Sequence, residues 1–286
     1  MAWLRRNGIR IYAAFAVAYM LIPIAVIALF SFGKTPRGKL TFSFDGFTTE
    51  YWRHAFSLTD LNEAMLTSLK LAALATVIST VIGTLMAMAL VRYEFFGRRT
   101  TNLLIILPMA SPEVVIGAAL LSFFIIITTP LGFTTLLIAH VMFCISFVVV
   151  VVRSRLIGFD RSLEEAARDL YATPLQTFRY VTLPLLAPGV LAAALLAFAL
   201  SIDDFVISNF NSGTTVTFPL YVFGVALRGI PVQVNVIATI LFTVTVVAAG
   251  LVILQQRRAE RMASRRAEPE QEAGPATSPR PQPEAA

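Results

Sequence analysis

The fold class predicted from the sequence is an all-α polytopic membrane protein with six transmembrane helices, and three features carry that prediction. The first is composition: of 286 residues, 57% are hydrophobic and only 14% are charged, against about 25% charged in soluble domains. The second is a series of six apolar runs, at about 11–32, 66–91, 103–127, 131–152, 186–208 and 234–254. Each is near the roughly 20 residues that cross a bilayer core as a helix. The third is the distribution of basic residues. Alternating the connections between two faces puts 17 of the 23 Lys and Arg on the face of the N-terminus, including Arg92, Arg98, Arg99, Arg153, Arg155, Arg161, Arg168 and Arg179. The other face holds Lys34, Arg37, Lys39, Arg53, Lys70 and Arg228. Basic loops stay in the cytoplasm, so both termini are expected there. The net charge of +6 reads as topology rather than nucleic-acid binding.

Residues 1–10 are then a cytoplasmic N-terminus, 11–254 a six-helix domain with a projecting loop at about 153–185, and 255–286 a basic and then disordered tail. The tail beyond Ala267 is rich in Pro, Glu and Ala without apolar periodicity, which suits disorder. The first run follows Arg5, Arg6 and Arg10 as a signal peptide would, but it exceeds the 7–15 apolar residues of a signal core. It is expected to be a retained span. Residues 33–62 are polar, with Phe42, Phe44, Phe47, Tyr51, Trp52 and Phe56 interleaved, which suits a membrane interface or contact with a soluble partner. Gly33-Lys34-Thr35 mimics the end of a phosphate-binding loop, but Leu29 stands where that loop needs its first Gly. If ATP drives this protein, another chain is expected to bind it.

The third run contains Pro108 and Pro112, which interrupt a helix by removing N–H donors; interrupted helices at membrane depth are tolerated where they line a cavity. Glu113 follows, about 15 Å into that span at 1.5 Å per residue. Ser111-Pro112-Glu113 is equally a good helix start, since the dipole favours Glu there. A tight turn at 129–132 leads into the fourth run, where Cys144 reads as an apolar filler and His140 as a hydrogen-bonded packing residue. No cysteine or histidine pattern suggests a metal.

Between the fourth and fifth runs, Ser162-Leu163-Glu164-Glu165 has the pattern of a capping box. Thr173-Pro174-Leu175-Gln176 is a second helix start. Two short helices meeting near Tyr171-Ala172 should therefore project from the membrane, with small Ala166 and Ala167 allowing close approach to another surface. Pro184 and Pro188 are expected to break or redirect the chain as it enters the fifth span. That span carries Asp203 and Asp204 without a Lys or Arg in the run. Intramembrane charges are costly, roughly 2.5–3.5 kcal/mol each on insertion scales, and mark functional sites. Adjacent helical positions point about 100° apart, so at most one acid faces the path squarely and the other bonds a neighbouring subunit or caps a helix in the outer loop. The connection 209–233, with Phe218-Pro219-Leu220, reads as a re-entrant or interfacial helix closing the outer mouth.

The run Glu165-Ala166-Ala167-Arg168-Asp169-Leu170-Tyr171-Ala172, followed by Leu183-Pro184, resembles the EAA loop of ATP-binding-cassette (ABC) importer permeases. The resemblance implies a type I ABC importer permease fold in which this loop forms a coupling helix that docks on an ATPase subunit. Its residues here would be Glu165, Ala166, Ala167, Asp169, Tyr171, Leu183 and Pro184. The family's usual Gly at the hinge is Tyr171, which leaves the hinge conformation open, because Gly tolerates positive φ and Tyr rarely does. Ser111-Pro112-Glu113-Val114-Val115 and 201–208 are similar to the spermidine/putrescine permease subfamily, as are Phe218-Pro219-Leu220 and 234–239, and in particular to its second permease subunit. That similarity implies a polyamine path through Glu113, Asp203, Asp204 and Phe205, where carboxylates and aromatic faces suit spaced ammonium groups.

The resemblance also implies a bacterial inner-membrane location, a second homologous permease subunit, two ATPase chains that hold ATP and Mg, and a periplasmic solute-binding protein. This chain would be no enzyme and would hold no cofactor, metal or nucleic acid. The alternatives are an importer permease for another small solute or an ion-coupled secondary transporter, which would work without an ATPase. A non-transporting assembly subunit would tolerate neutralisation of the three acids.

Overall fold

The computed structural model describes residues 2–35, 38–40, 44–158, 162–247 and 250. The expectations placed on Arg37, Phe42, Arg161, the end of the sixth apolar run and the 255–286 tail lie outside them. The described residues are helical, with only the isolated bridges Gly33–Phe47 and Lys39–Pro231 as β pairing. They form two units, one of residues up to Ala55 with those from Pro231 onward, the other from Phe56 to Ile230.

In the first unit α1 runs Ala2–Phe30, and its segment Gly8–Phe30 is apolar enough to span and buries nothing inside the protein. A helix apolar on all sides and unburied belongs against lipid or another apolar chain. The aromatic segment folds back on its end: Phe32 stacks on Phe47 at 5.1 Å and on Trp52 at 5.0 Å. The indole N–H of Trp52 donates to the buried Ser31 hydroxyl at 3.2 Å. Trp52 belongs to the single-turn α2 (Glu50–Arg53). The sixth apolar run is helix α12, Val232–Val247, as far as the described residues continue.

The second unit is built on three helices packed against one another, α3 (Thr59–Arg92), α6 (Phe133–Ile157) and α9 (Leu183–Ile202). Ala72, Ala75, Ser79, Gly83 and Ala87 recur at three- and four-residue steps on α3 and are all buried. Small residues let backbones approach where lipid is no worse a solvent than Leu. Gly83 shows how closely: a Cβ there would lie 2.6 Å from Val148 of α6. On the other side of α3, Leu74, Val77, Val81 and Leu85 are exposed, as suits lipid contact.

The third apolar run is two helices, α4 (Arg98–Ala110) and α5 (Glu113–Ile126), bent by 113°. Pro112 forces this, since the residue before a proline is pushed out of the α region, and Ser111 is extended at φ −88, ψ 142. Pro108 stays inside α4. The reckoning of Glu113's depth along a straight rod therefore fails, because the helix turns away two residues earlier. The expectation for Pro184 and Pro188 also needs correction. Both lie within a continuous helical segment, Pro174–Ile202, after α8 (Pro174–Thr177). The distortion is a π turn at Phe178–Thr182, closed by the Leu183 N–H on the Phe178 carbonyl. This widened turn comes just before Pro184, which lacks the N–H that a regular α turn would use there and sits in the first turn of α9.

The fifth run also ends early. The helix stops at Ile202, Asp203 is its C-cap, and a short α10 (Val206–Asn211) follows. α11 (Phe218–Ala226) occupies the connection read as an outer helix and packs on α3, with the Phe218 N–H on the Ser68 hydroxyl at 2.8 Å. The turn after α5 carries Thr128 at φ 52, and Gly213 meets it closely. Gly213 has φ +57, and a Cβ on it would lie 2.5 Å from the Leu131 carbonyl oxygen.

Candidate functional site

Both interruptions of the apolar helices place a carboxylate. At the first, Glu113 is the opening residue of α5 and its side chain is exposed. Pro112 serves as N-cap through its carbonyl, which accepts from Val115 N–H at 2.9 Å. The Glu113 carboxylate sits at the positive end of the helix dipole without being consumed by a side-chain cap. At the second, Asp203 is exposed at the C-terminal end of α9, where the dipole is negative and a cation is favoured. The segments that follow the two breaks pack together: Asn211 Nδ2 donates to the Gly117 carbonyl at 3.3 Å, and a Cβ on Gly117 would lie 2.7 Å from the Phe210 ring.

Asp204 has a different setting. It is buried, and its two oxygens accept from Ile207 N–H at 3.2 Å and Ser208 N–H at 2.8 Å. It therefore caps α10, the role left open for one member of the acid pair. Its Oδ2 is also 3.4 Å from Nε2 of His140. His140 in turn bonds Ser201 at 2.8 Å through Nδ1 and Ser208 at 3.0 Å through Nε2. The packing role expected of His140 is what the geometry shows, and Cys144 is buried as expected. The run supplies no Lys or Arg to Asp204, and its neighbour across the packing is instead a histidine on α6, 64 positions away in sequence. Phe205 pairs with Phe223 of α11, ring centroids 4.7 Å apart.

A cleft of about 580 Å³ opens among α3, α4, α5 and α6, walled by Met86, Ile105, Pro108, Val115, Ile116 and Met142 among others. Neither Glu113 nor Asp203 lines it, and an apolar wall is a poor host for charge.

The projecting loop is built as two short helices, α7 (Ser162–Asp169) and α8. The second start is a complete capping box: Gln176 N–H donates to Thr173 Oγ1 at 3.4 Å and Thr173 N–H to Gln176 Oε1 at 2.8 Å. Ser162 opens α7, and the residue before it lies outside the described ones. Tyr171 takes φ 61, the left-handed conformation that a Gly hinge would adopt. Glu165, Ala166, Asp169, Leu183 and Pro184 are exposed and Ala167 is half-buried.

Residues 79–261 match the family described as "binding-protein-dependent transport system inner membrane component". The chain belongs to this family. Over 240 residues it is 38% identical to a spermidine/putrescine transport system permease protein, PotC, of Haemophilus influenzae, covering 84% of this chain and 91% of that one. It is 34% identical over 251 residues to the putrescine transport system permease protein PotI of Escherichia coli K12, covering 85% and 88%. A crystal structure of a bacterial alginate ABC transporter, in complex with an alginate-pentasaccharide-bound periplasmic protein, aligns with TM-score 0.60 at 16% identity, covering 91% of this chain and 96% of that one; this likeness concerns the fold. The chain is thus a permease subunit of an ABC importer, multi-pass and all-helical, with ATP hydrolysis left to a separate chain. Family membership removes the secondary-transporter alternative.

In this permease sequence reasoning missed Glu164, taken only as part of a cap pattern. It is 8% exposed, pairs with Arg92 at the end of α3, and accepts a 2.5 Å hydrogen bond from the Thr182 hydroxyl. The available signal was helical phase: Glu164 and Glu165 point about 100° apart, so one faces in when the other faces out. Asn211, which joins α10 to α5, gave no sequence signal.

Proposed function

We propose that this permease imports polyamines such as spermidine and putrescine, with six spans in a bacterial inner membrane and both termini in the cytoplasm. The observation that carries the reading is the pair of exposed carboxylates, Glu113 and Asp203, each at a helix interruption inside an apolar run. Two separated acids suit a substrate with separated ammonium groups, and the two relatives named for spermidine and putrescine support the same cargo. Phe205 offers an aromatic face beside Asp203. Asp204 belongs to the frame: its lone pairs are engaged by α10, so it holds the break open rather than taking cargo. The path is completed by a second homologous permease subunit, for which the unburied apolar α1 and the outer face of α3 leave surface.

The loop at 153–185 is the coupling element. Its tip presents Leu170, Tyr171 and Leu175 at 82%, 95% and 75% exposure, an apolar projection of the kind that marks a docking surface. Glu165, Ala166, Ala167, Asp169, Tyr171, Leu183 and Pro184 form or support that surface. Two ATPase chains holding ATP and Mg dock there, and a periplasmic solute-binding protein delivers cargo to the outer connections, as suits the complex in which the alginate transporter was solved. The polar tail from residue 255 remains on the cytoplasmic face.

Uptake of labelled spermidine and putrescine by cells carrying the intact system, with and without its ATPase, tests this reading. ATPase-dependent uptake that falls at least about tenfold in Glu113→Gln or Asp203→Asn is expected, a loss of roughly 1.4 kcal/mol. Wild-type uptake in both variants would reject the cation path, and ATPase-dependent transport of a different solute would reject the cargo.

A further inference from the structure

We infer that Glu164 is a positioning residue, the inner clasp that makes the projecting loop move as one body with the membrane helices; this rests on the coupling role proposed above. One oxygen, Oε1 of Glu164, receives both Arg92 from the last residue of α3 and the Thr182 hydroxyl from the π turn leading into α9. Three elements separated by 72 and 18 residues in sequence are therefore joined at one buried atom. Thr182 is fully buried and Glu164 nearly so, so the bond between them is closed to bulk water, while the Arg92 end of the clasp is partly exposed.

The geometry divides α7 into two faces with different jobs. Glu165 points outward and is available to a partner, whereas Glu164 points inward and is not. A force applied at the exposed tip reaches α3 and α9 only through contacts that survive the load. Apolar contacts between a short, polar α7 and the helices beneath it are sparse: Glu164 is the buried residue of α7. A charge-assisted pair in a low-dielectric setting is stiff, directional and costly to open. The π turn gives the clasp a second function. The turn is the irregular stretch between the loop and α9, where a helix would otherwise yield under load, and Thr182 pins its last residue.

The test uses the full complex of this chain with its partner subunits, reconstituted in lipid vesicles, measuring solute moved per ATP hydrolysed. Glu164→Gln, Arg92→Gln and Thr182→Val are compared, along with the double variant Glu164→Gln/Arg92→Gln. Assembled complexes should still hydrolyse ATP while the transport-to-hydrolysis ratio falls on the order of tenfold, within the range of ordinary allosteric couplings. The double variant should be no worse than the worse single one, because both remove the same link. A residue that merely stabilises the fold would lower the yield of complex and leave this ratio unchanged. An unchanged ratio in assembled Glu164→Gln complex overturns the inference. If Glu164→Gln fails to assemble, Thr182→Val decides by the same criterion, since it keeps the volume and removes one bond. Absence of ATPase-dependent transport in the wild type would instead overturn the coupling reading itself, and this inference with it.

Discussion

The break at Ser111-Pro112 and the break at Asp203-Asp204-Phe205 look alike in sequence, an acid set in an apolar run, yet they are built in opposite ways. The first is made by covalent geometry. Proline removes a donor and forces its neighbour into an extended conformation, so the bend needs no side chain to sustain it, and Glu113 remains exposed. The second contains no proline. It is held by Asp204, whose carboxylate caps α10 and meets His140, and that engagement leaves Asp203 as the exposed member of the pair. An intramembrane carboxylate is thus not one kind of feature: where proline makes the break, the acid is spare, and where an acid makes the break, only its neighbour is.

The comparison is most sharply tested at Asp204. Asp204→Ala removes the cap and leaves two buried N–H groups without their acceptor, and should destabilise the protein by about 3 kcal/mol. Thermal unfolding in detergent monitored by circular dichroism reads this, and a change under about 0.5 kcal/mol would mean that the second break sustains itself as the first does. Gly213→Ala should cost about 2 kcal/mol, because φ +57 and the Leu131 carbonyl 2.5 Å from the new Cβ act together; the same unfolding measurement checks it. A third interruption, the loop hinge, sits between these extremes. Tyr171→Gly relieves a left-handed non-glycine residue that costs roughly 1–2 kcal/mol, offset by the added freedom of Gly in the unfolded chain, so a gain of up to about 1 kcal/mol in unfolding stability is expected. Glu113→Gln should shift stability by less than about 0.5 kcal/mol, as for an exposed substitution, while impairing uptake. A large loss of stability there would make Glu113 a structural cap like Asp204 and erase the contrast.

The bilayer made much of this protein legible in its sequence. Hydrocarbon leaves a backbone no partner but itself, so apolar length alone marks helices. Four of the six runs are found as helices long and apolar enough to span and a fifth as a bent pair, while the sixth is a shorter apolar helix, α12, as far as the described residues continue. Turn chemistry was legible too, because it is local: Thr173 and Gln176 form the capping box their spacing announces, and Pro112 breaks its helix where it stands. What sequence could not supply was the sense of each charged side chain. Asp204 and Glu164 carry no local mark separating them from Asp203 and Glu165, since each pair is adjacent, of one chemistry and in one run. Their partners, His140 on α6 and Arg92 on α3, arrive from distant segments. Only the packing of α3, α6 and α9 decides which acid of each pair turns inward, because burying a carboxylate is tolerable only where such a partner waits.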